Sequence, residues 1–200
     1  MSTEITKFFG NRNHNQTKSV EGLKAFGQTR FGDGRAMLKL TKSGDWVFGS
    51  DKELLKPGTE LYVDPHSLAS GYVAWHKGNV EDEVMKPVSE GPVDANSLKE
   101  VQAKKGWEPQ SSIDLLLMDD KPIQIIYKTS SYGGLKEMTA LAGELAIGLA
   151  ENPDRCYAVI QLNVDSYEHS EYGTVYTPEL NVVRWTDAGG NEMKERRKLV

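Results

Sequence analysis

Hydrophobic positions in this chain alternate along most of its length and fall into helical spacing only once. Met37-Leu38-Lys39-Leu40 leads through the polar run 41–45 into Trp46-Val47-Phe48, a strand–turn–strand pattern that predicts a β-hairpin. Leu61-Tyr62-Val63 and Gly71-Tyr72-Val73-Ala74-Trp75 predict two further strands. Asp64-Pro65-His66-Ser67 lies between them and predicts a turn, because proline fixes its own φ and biases the preceding residue away from helix. Residues 78–110 are charged and broken by Pro87, Pro92 and Pro109, so a long excursion with one short strand over 84–88 is expected. Residues 113–118 and 123–127 flank Asp119-Asp120-Lys121-Pro122, a second hairpin signal. The period then changes. Leu135, Met138, Leu141, Ala142, Leu145 and Leu149 recur three and four residues apart, which predicts an amphipathic helix over 135–150, ended by Asn152-Pro153-Asp154. Strands over 157–164 and 180–185 follow, joined by a tyrosine-rich connection.

Many strands and a single helix exclude an alternating α/β sheet, which needs more helices. The expected fold is mainly β with one principal α-helix. In detail it is an OB-like antiparallel β-barrel, the helix lying between later strands as in the five-stranded OB barrel. Domain limits follow from composition. Residues 1–34, with their Asn-Arg-Asn-His-Asn-Gln run, bury too little apolar surface to pack and are expected as a mobile basic arm. Residues 35–186 form the barrel domain, and 187–200 a basic C-terminal tail.

Charge sharpens this division. Residues 1–43 hold eight Lys/Arg against three carboxylates, and 190–200 hold four against two. The stretch between carries twelve Lys/Arg against 24 Asp/Glu, a net of −12. An acidic body argues against broad non-specific nucleic-acid affinity, so any anion must meet a local patch or a basic end. The one cysteine, Cys156, excludes an internal disulfide and fits a reducing cytoplasm, as a small residue at the start of a buried strand. No stretch nears the roughly 18 apolar residues of a membrane helix, and the N-terminus lacks the apolar core of a secretory signal.

Candidate chemistry concentrates late in the chain. Six of the eight tyrosines (Tyr127, Tyr132, Tyr157, Tyr167, Tyr172 and Tyr176) fall within fifty residues. A tyrosine on a loop offers a flat ring that stacks on planar ligands. Lys128-Thr-Ser-Ser-Tyr-Gly-Gly-Leu-Lys136 places two cations, hydroxyls and glycines before the helix, where backbone N–H groups favour phosphate. It does not match a Walker A loop. Its structural alternative is a helix entry with Ser130 or Ser131 as N-cap and the glycines making a tight turn. Residues 165–178 read either as a flexible stacking finger or as a hairpin whose tyrosines pack across strands. His14, His66, His76 and His169 are too scattered for a metal site; only His76, beside Trp75 and Lys77, belongs near a ligand surface. A nuclease of the PD-(D/E)xK kind would need an acid two positions before Lys128, where Ile126 stands. No catalytic centre, metal or cofactor is expected.

Gly71-Tyr-Val-Ala-Trp75, Val84-Met-Lys-Pro-Val88, Tyr127-Lys-Thr-Ser-Ser131, Asp165-Ser-Tyr-Glu-His169, Tyr176-Thr-Pro178 and Trp185 resemble blocks of a small protein family of tailed phages and prophages. The resemblance covers roughly residues 35–186. It implies a phage-encoded protein of the host cytoplasm, an OB-like single-stranded DNA-binding protein of replication or recombination, with fold alone not fixing function. The basic C-terminus departs from the acidic partner-recruiting tail of many such binders.

The expectation is sequence-tolerant binding of single-stranded DNA. Stacking would come from Tyr72, Trp75, Tyr132, Tyr167, Tyr172 and Tyr176. Lys39, Lys77, Lys121, Lys128 and Lys136 would meet phosphates, with Ser130 beside them. A host or phage replication or recombination protein is the further partner expected, no membrane is involved, and self-association is left open. The rival is an interaction or anti-defence protein whose acidic surface binds a host protein.

Overall fold

The computed structural model describes residues 35–119 and 121–193. The expected arm over 1–34, Asp120 and residues 194–200 lie outside the described residues. Within the described residues, ten strands and one long helix follow in order: β1 (Ala36–Leu40), β2 (Trp46–Phe48), β3 (Glu53–Leu55), β4 (Glu60–Val63), β5 (Ala69–His76), β6 (Asn79–Pro87), β7 (Trp107–Leu117), β8 (Ile123–Thr129), α1 (Tyr132–Glu151), β9 (Tyr157–His169) and β10 (Gly173–Thr186). They make one sheet in the order β10-β9-β4-β7-β8-β1-β2-β3, with β5 on β7 and β6 on β5. The sheet curls strongly into an OB-like half-barrel, mainly β, with its helix between β8 and β9.

The hairpins 36–48 and 113–127 form as the alternation predicts. Three elements differ. β3 falls in a segment with no strand signal. β6 and the first half of β7 replace much of the expected excursion, because β6 is charged and largely exposed and residues 107–112 of β7 are mostly polar, so both lack apolar alternation. Asp64–Ser67 does not turn β4 back onto β5. The two strands run end to end along β7, β4 on Leu115–Leu117 and β5 on Trp107–Ser112. The break is a one-turn 3-10 helix: Asp64 accepts from the His66 N–H at 3.0 Å, and the Ser67 hydroxyl accepts from the Asp114 N–H where the ladder is interrupted.

The core lies on the concave face. Leu38, Leu61, Ile113, Leu115, Ile125, Ile160, Leu162 and Leu180 are sealed against Met138, Leu141 and Leu145 of α1. Each such side chain contributes about 1.5–3 kcal/mol by leaving water. The apolar stripe read from the sequence is the buried face of α1, completed by Gly134 and Gly148. Glycine at 148 is required by close approach, since a Cβ there would lie 2.2 Å from the Trp185 ring. Arg155 covers another side of that ring, 5.3 Å from its centroid, and donates to the Gly148 carbonyl.

α1 follows the free edge of β10. Gly133 abuts Thr177, Glu137 accepts from the Leu180 N–H at 2.6 Å, and Gly148 meets Trp185. An edge N–H without a strand partner would otherwise be exposed to pairing with another chain. β8 takes β1 as a parallel neighbour, a pairing the antiparallel expectation did not include. The meander β1–β2–β3 thus extends the sheet, and side chains bridge it back to the far edge. Trp46 donates from Nε1 to the Asn163 carbonyl, and the Tyr176 ring lies against Gly44. Residues 187–193, placed with the tail in the sequence reading, fold back on the body: Met193 N–H donates to Trp185 O, and Glu192 bridges Thr186.

Candidate functional site

The segment before α1 is a helix entry. Ser131 is the N-cap and accepts from the Gly134 N–H at 3.1 Å, which satisfies one of the helix's orphan donors. Both glycines are packing residues: a Cβ on Gly133 would sit 2.8 Å from Thr177 Cγ2, and one on Gly134 2.1 Å from Thr129 Oγ1. Ser130 is half-buried in the connection. Capped at Ser131, the first turn of α1 turns Tyr132 outward, and the ring is 84% exposed.

The tyrosine-rich connection is a continuous β-ribbon. β9 and β10 stay paired from Tyr157↔Thr186 to His169↔Gly173, so their outer halves run eight residues past the last pairing of β9 with β4, at Glu60↔Gln161. Alternation then sorts the rings. Tyr167, opposite Val175, shares a face with Asp165 and Thr177; Tyr176, opposite Ser166, points to the other face. Tyr172 sits at the tip, 70% exposed, stacked on His169 at 4.7 Å between centroids.

Between this ribbon and the start of α1 lies a groove of about 300 Å³. It is lined by Tyr132, Gly133, Lys136, Glu137, Asp165, Tyr167, Thr177, Pro178 and Glu179. Of the sequence-predicted residues, the structure brings Tyr132, Lys136 and Tyr167 together here. Asp165, Glu137 and Glu179 were not anticipated as lining. No local signal marks them, because they come from segments separated in sequence that meet only when α1 lies along β10.

The remaining candidates are dispersed. Tyr72, Trp75 and Lys77 belong to the β5–β6 hairpin, with Lys77 in its two-residue turn at φ 51°. Lys39 is exposed on β1, and Lys121 in the β7–β8 connection. Lys128 faces away from the groove's helix turn and holds Glu83 of β6 with both carboxylate oxygens, at 2.9 and 3.1 Å. Its pairing with Lys136 in the sequence does not become a pairing in space. His76 contacts the Gln102 carbonyl through Nδ1.

Electrostatic perturbation is confined to structural sites. Burial pushes the Tyr127 phenol up to about 12, and also raises the Cys156 thiol with help from Asp187 and Asp154. Hydrogen bonding from Arg184 lowers Glu60, and from Lys99 lowers Asp82. Among the described residues, no three His, Cys, Asp or Glu side chains gather as metal ligands, and no helix is long and apolar enough to cross a membrane. The chain matches no protein-family model, no curated protein and no solved structure.

Proposed function

We propose that this protein binds single-stranded DNA without an extended sequence requirement. The observation that carries the reading is the groove where two exposed rings, Tyr132 and Tyr167, stand with the unpaired ammonium of Lys136. A solvent-facing tyrosine at a helix start adds nothing to the core, whereas unpaired bases stack on such rings with about 1–3 kcal/mol each. The fold supports the same reading. In an OB-like barrel the ligand meets the loops between the first and second and between the fourth and fifth strands. Here the β5–β6 hairpin carries Trp75 and Lys77, and the β9–β10 hairpin, after the helix, carries Tyr167 and Tyr172. A role in phage replication or recombination, in the host cytoplasm, is the part of the proposal that rests on the resemblance of sequence blocks.

Titration of labelled single-stranded and duplex oligonucleotides at several salt concentrations tests the reading. Lys39, Lys77, Lys121 and Lys136 have no ion-pair partner among the described residues. If the three outside the groove, Lys39, Lys77 and Lys121, meet phosphates, log affinity falls with log salt at a slope of about −2, and single strands bind more tightly than duplex. The acidic body, net −12 over residues 44–189, favours a second reading, in which the protein presents carboxylates to a basic protein partner. Equal or tighter duplex binding, or none at low salt, would discard the first reading in favour of the second.

A further inference from the structure

The groove offers an unpaired anion and an unpaired cation together. One oxygen of each neighbouring carboxylate is used by backbone: Glu137 Oε1 accepts from the Leu180 N–H, and Asp165 Oδ1 from the Ser166 N–H at 2.7 Å. Lys136 and Glu179 make no hydrogen bond or ion pair with another described residue. Glu179 and the second oxygen of Asp165 therefore present acceptors, and Lys136 a donor, into a space edged by the Tyr132 and Tyr167 rings. Such a lining repels a phosphate. It suits the edge of an unpaired base.

Bases differ in what that edge offers. Cytosine sets its N4 amine beside the N3 acceptor, and guanine sets N1–H and its N2 amine beside the O6 acceptor. Each gives a carboxylate a donor and an ammonium an acceptor at neighbouring positions. Thymine holds a single N3–H between two carbonyl oxygens, so a carboxylate taking that proton meets a carbonyl on either side. From this pattern, and resting on the single-strand reading above, we infer that the groove selects amino-bearing bases over thymine, with Glu179 the specificity-determining residue and Lys136 its complement.

Short oligo-dC and oligo-dT of equal length, titrated by fluorescence anisotropy near neutral pH against the full chain and Glu179→Gln, provide the test. The full chain should bind oligo-dC about tenfold more tightly, as one well-placed base contact allows. A glutamine amide both donates and accepts, so Glu179→Gln should weaken oligo-dC, strengthen oligo-dT and bring the ratio toward one. Circular dichroism of the variant checks that it folds. Equal affinities for the two oligonucleotides overturn the base preference and leave single-strand binding standing. A variant that binds both more tightly by the same factor also overturns it, showing that Glu179 acts only as a general negative charge. Binding of neither oligonucleotide overturns the single-strand reading and this inference with it.

Discussion

The β5–β6 and β9–β10 hairpins are both long antiparallel ribbons carrying exposed aromatic residues, yet they are built for different ends. β5 is paired along both sides, with β6 and with β7, and Val73 and Ala74 are sealed completely. The outer strand is stitched down as well. Lys99 holds Asp82 at 2.9 Å, Glu81 accepts from the Gln102 N–H, and Lys128 holds Glu83. Lys99 and Lys128 are thereby committed, while Lys77 in the turn makes no ion pair among the described residues. The β9–β10 hairpin is divided instead. Its inner half supplies Ala158, Ile160, Leu162, Leu180 and Trp185 to the core. Its outer half is held by its own ladder, the Thr174–Glu168 hydrogen bond and the His169–Tyr172 stack, and touches the body where Tyr176 lies against Gly44 and Thr177 against Gly133. Tyr167 lies on the face of the outer ribbon that borders the start of α1, where its ring stays half-exposed beside the groove. That contrast supports the proposal of a binding groove on β9–β10.

Backbone crowding should break the comparison most forcefully. A Cβ on Gly71 would lie 1.9 Å from the Val84 carbonyl oxygen, inside the β5–β6 ladder, where its nearest neighbours are all β6 backbone and no side chain can yield. Gly71→Ala should destabilise the fold by about 3 kcal/mol in denaturant unfolding, at the upper end for overpacking. Gly173 has φ +70° and open space around it. Alanine there bears only the left-handed backbone penalty, about 1 kcal/mol. Equal losses at the two glycines would mean the two hairpins are equally integral to the folded body.

Binding measurements sharpen the contrast at a smaller scale. Tyr132→Ala and Tyr167→Ala should each weaken single-strand binding by about 1–3 kcal/mol. At Tyr132, 84% exposed, stability should move within about 0.5 kcal/mol. Trp75→Ala, on the braced hairpin, should cost less binding than either; an equal cost would show that one strand of ligand spans both hairpins. Lys39→Ala should reduce the salt slope by about 0.7, the value of one phosphate contact on a single strand. Lys128→Ala should leave the slope unchanged, because its ammonium is held by Glu83, and should alter stability by no more than about 1 kcal/mol.

The smallest effect is proton-linked. Lys99 and the Glu83 N–H hold the Asp82 carboxyl below its ordinary value of 3.8. A lowered folded value means the brace contributes above the ordinary carboxylate range and is lost as pH falls through the folded value. Hydrogen exchange should show the β5–β6 amides losing protection on acidification below about pH 4 ahead of those in the inner half of β9–β10. Loss of protection in the opposite order would mean that this ion pair does not secure the hairpin.

Local chemistry made much of this molecule legible from sequence. The α1 stripe, the 36–48 and 113–127 hairpins and the N-cap serine are short-range patterns, in which periodicity or turn residues act within a few positions of one another. β6 and the first half of β7 were hidden for the same reason: exposed or mostly polar strands have no period-two apolar signal, and their pairing is specified by partners far away in sequence. The end-to-end course of β4 and β5 was hidden too. Asp64-Pro65-His66-Ser67 encodes a tight turn, and only β7 decides whether the chain reverses or continues beyond it.

The candidate site divides along the same line. Residue type alone determined that the tyrosines cluster after residue 120 and that the body is acidic. Which of them meet was decided by tertiary structure. Alternation along the paired β9–β10 ribbon sends Tyr167 and Tyr176 to opposite faces. The curl of the sheet carries α1 onto the β10 edge, so Tyr132 and Lys136 join Tyr167 while Lys128, one turn of chain earlier, is drawn to Glu83 on β6. The carboxylates of Asp165 and Glu179 enter the groove by the same packing. Sequence spacing reports neighbours along the chain, and a groove between a helix and a strand edge is a neighbourhood that only packing creates.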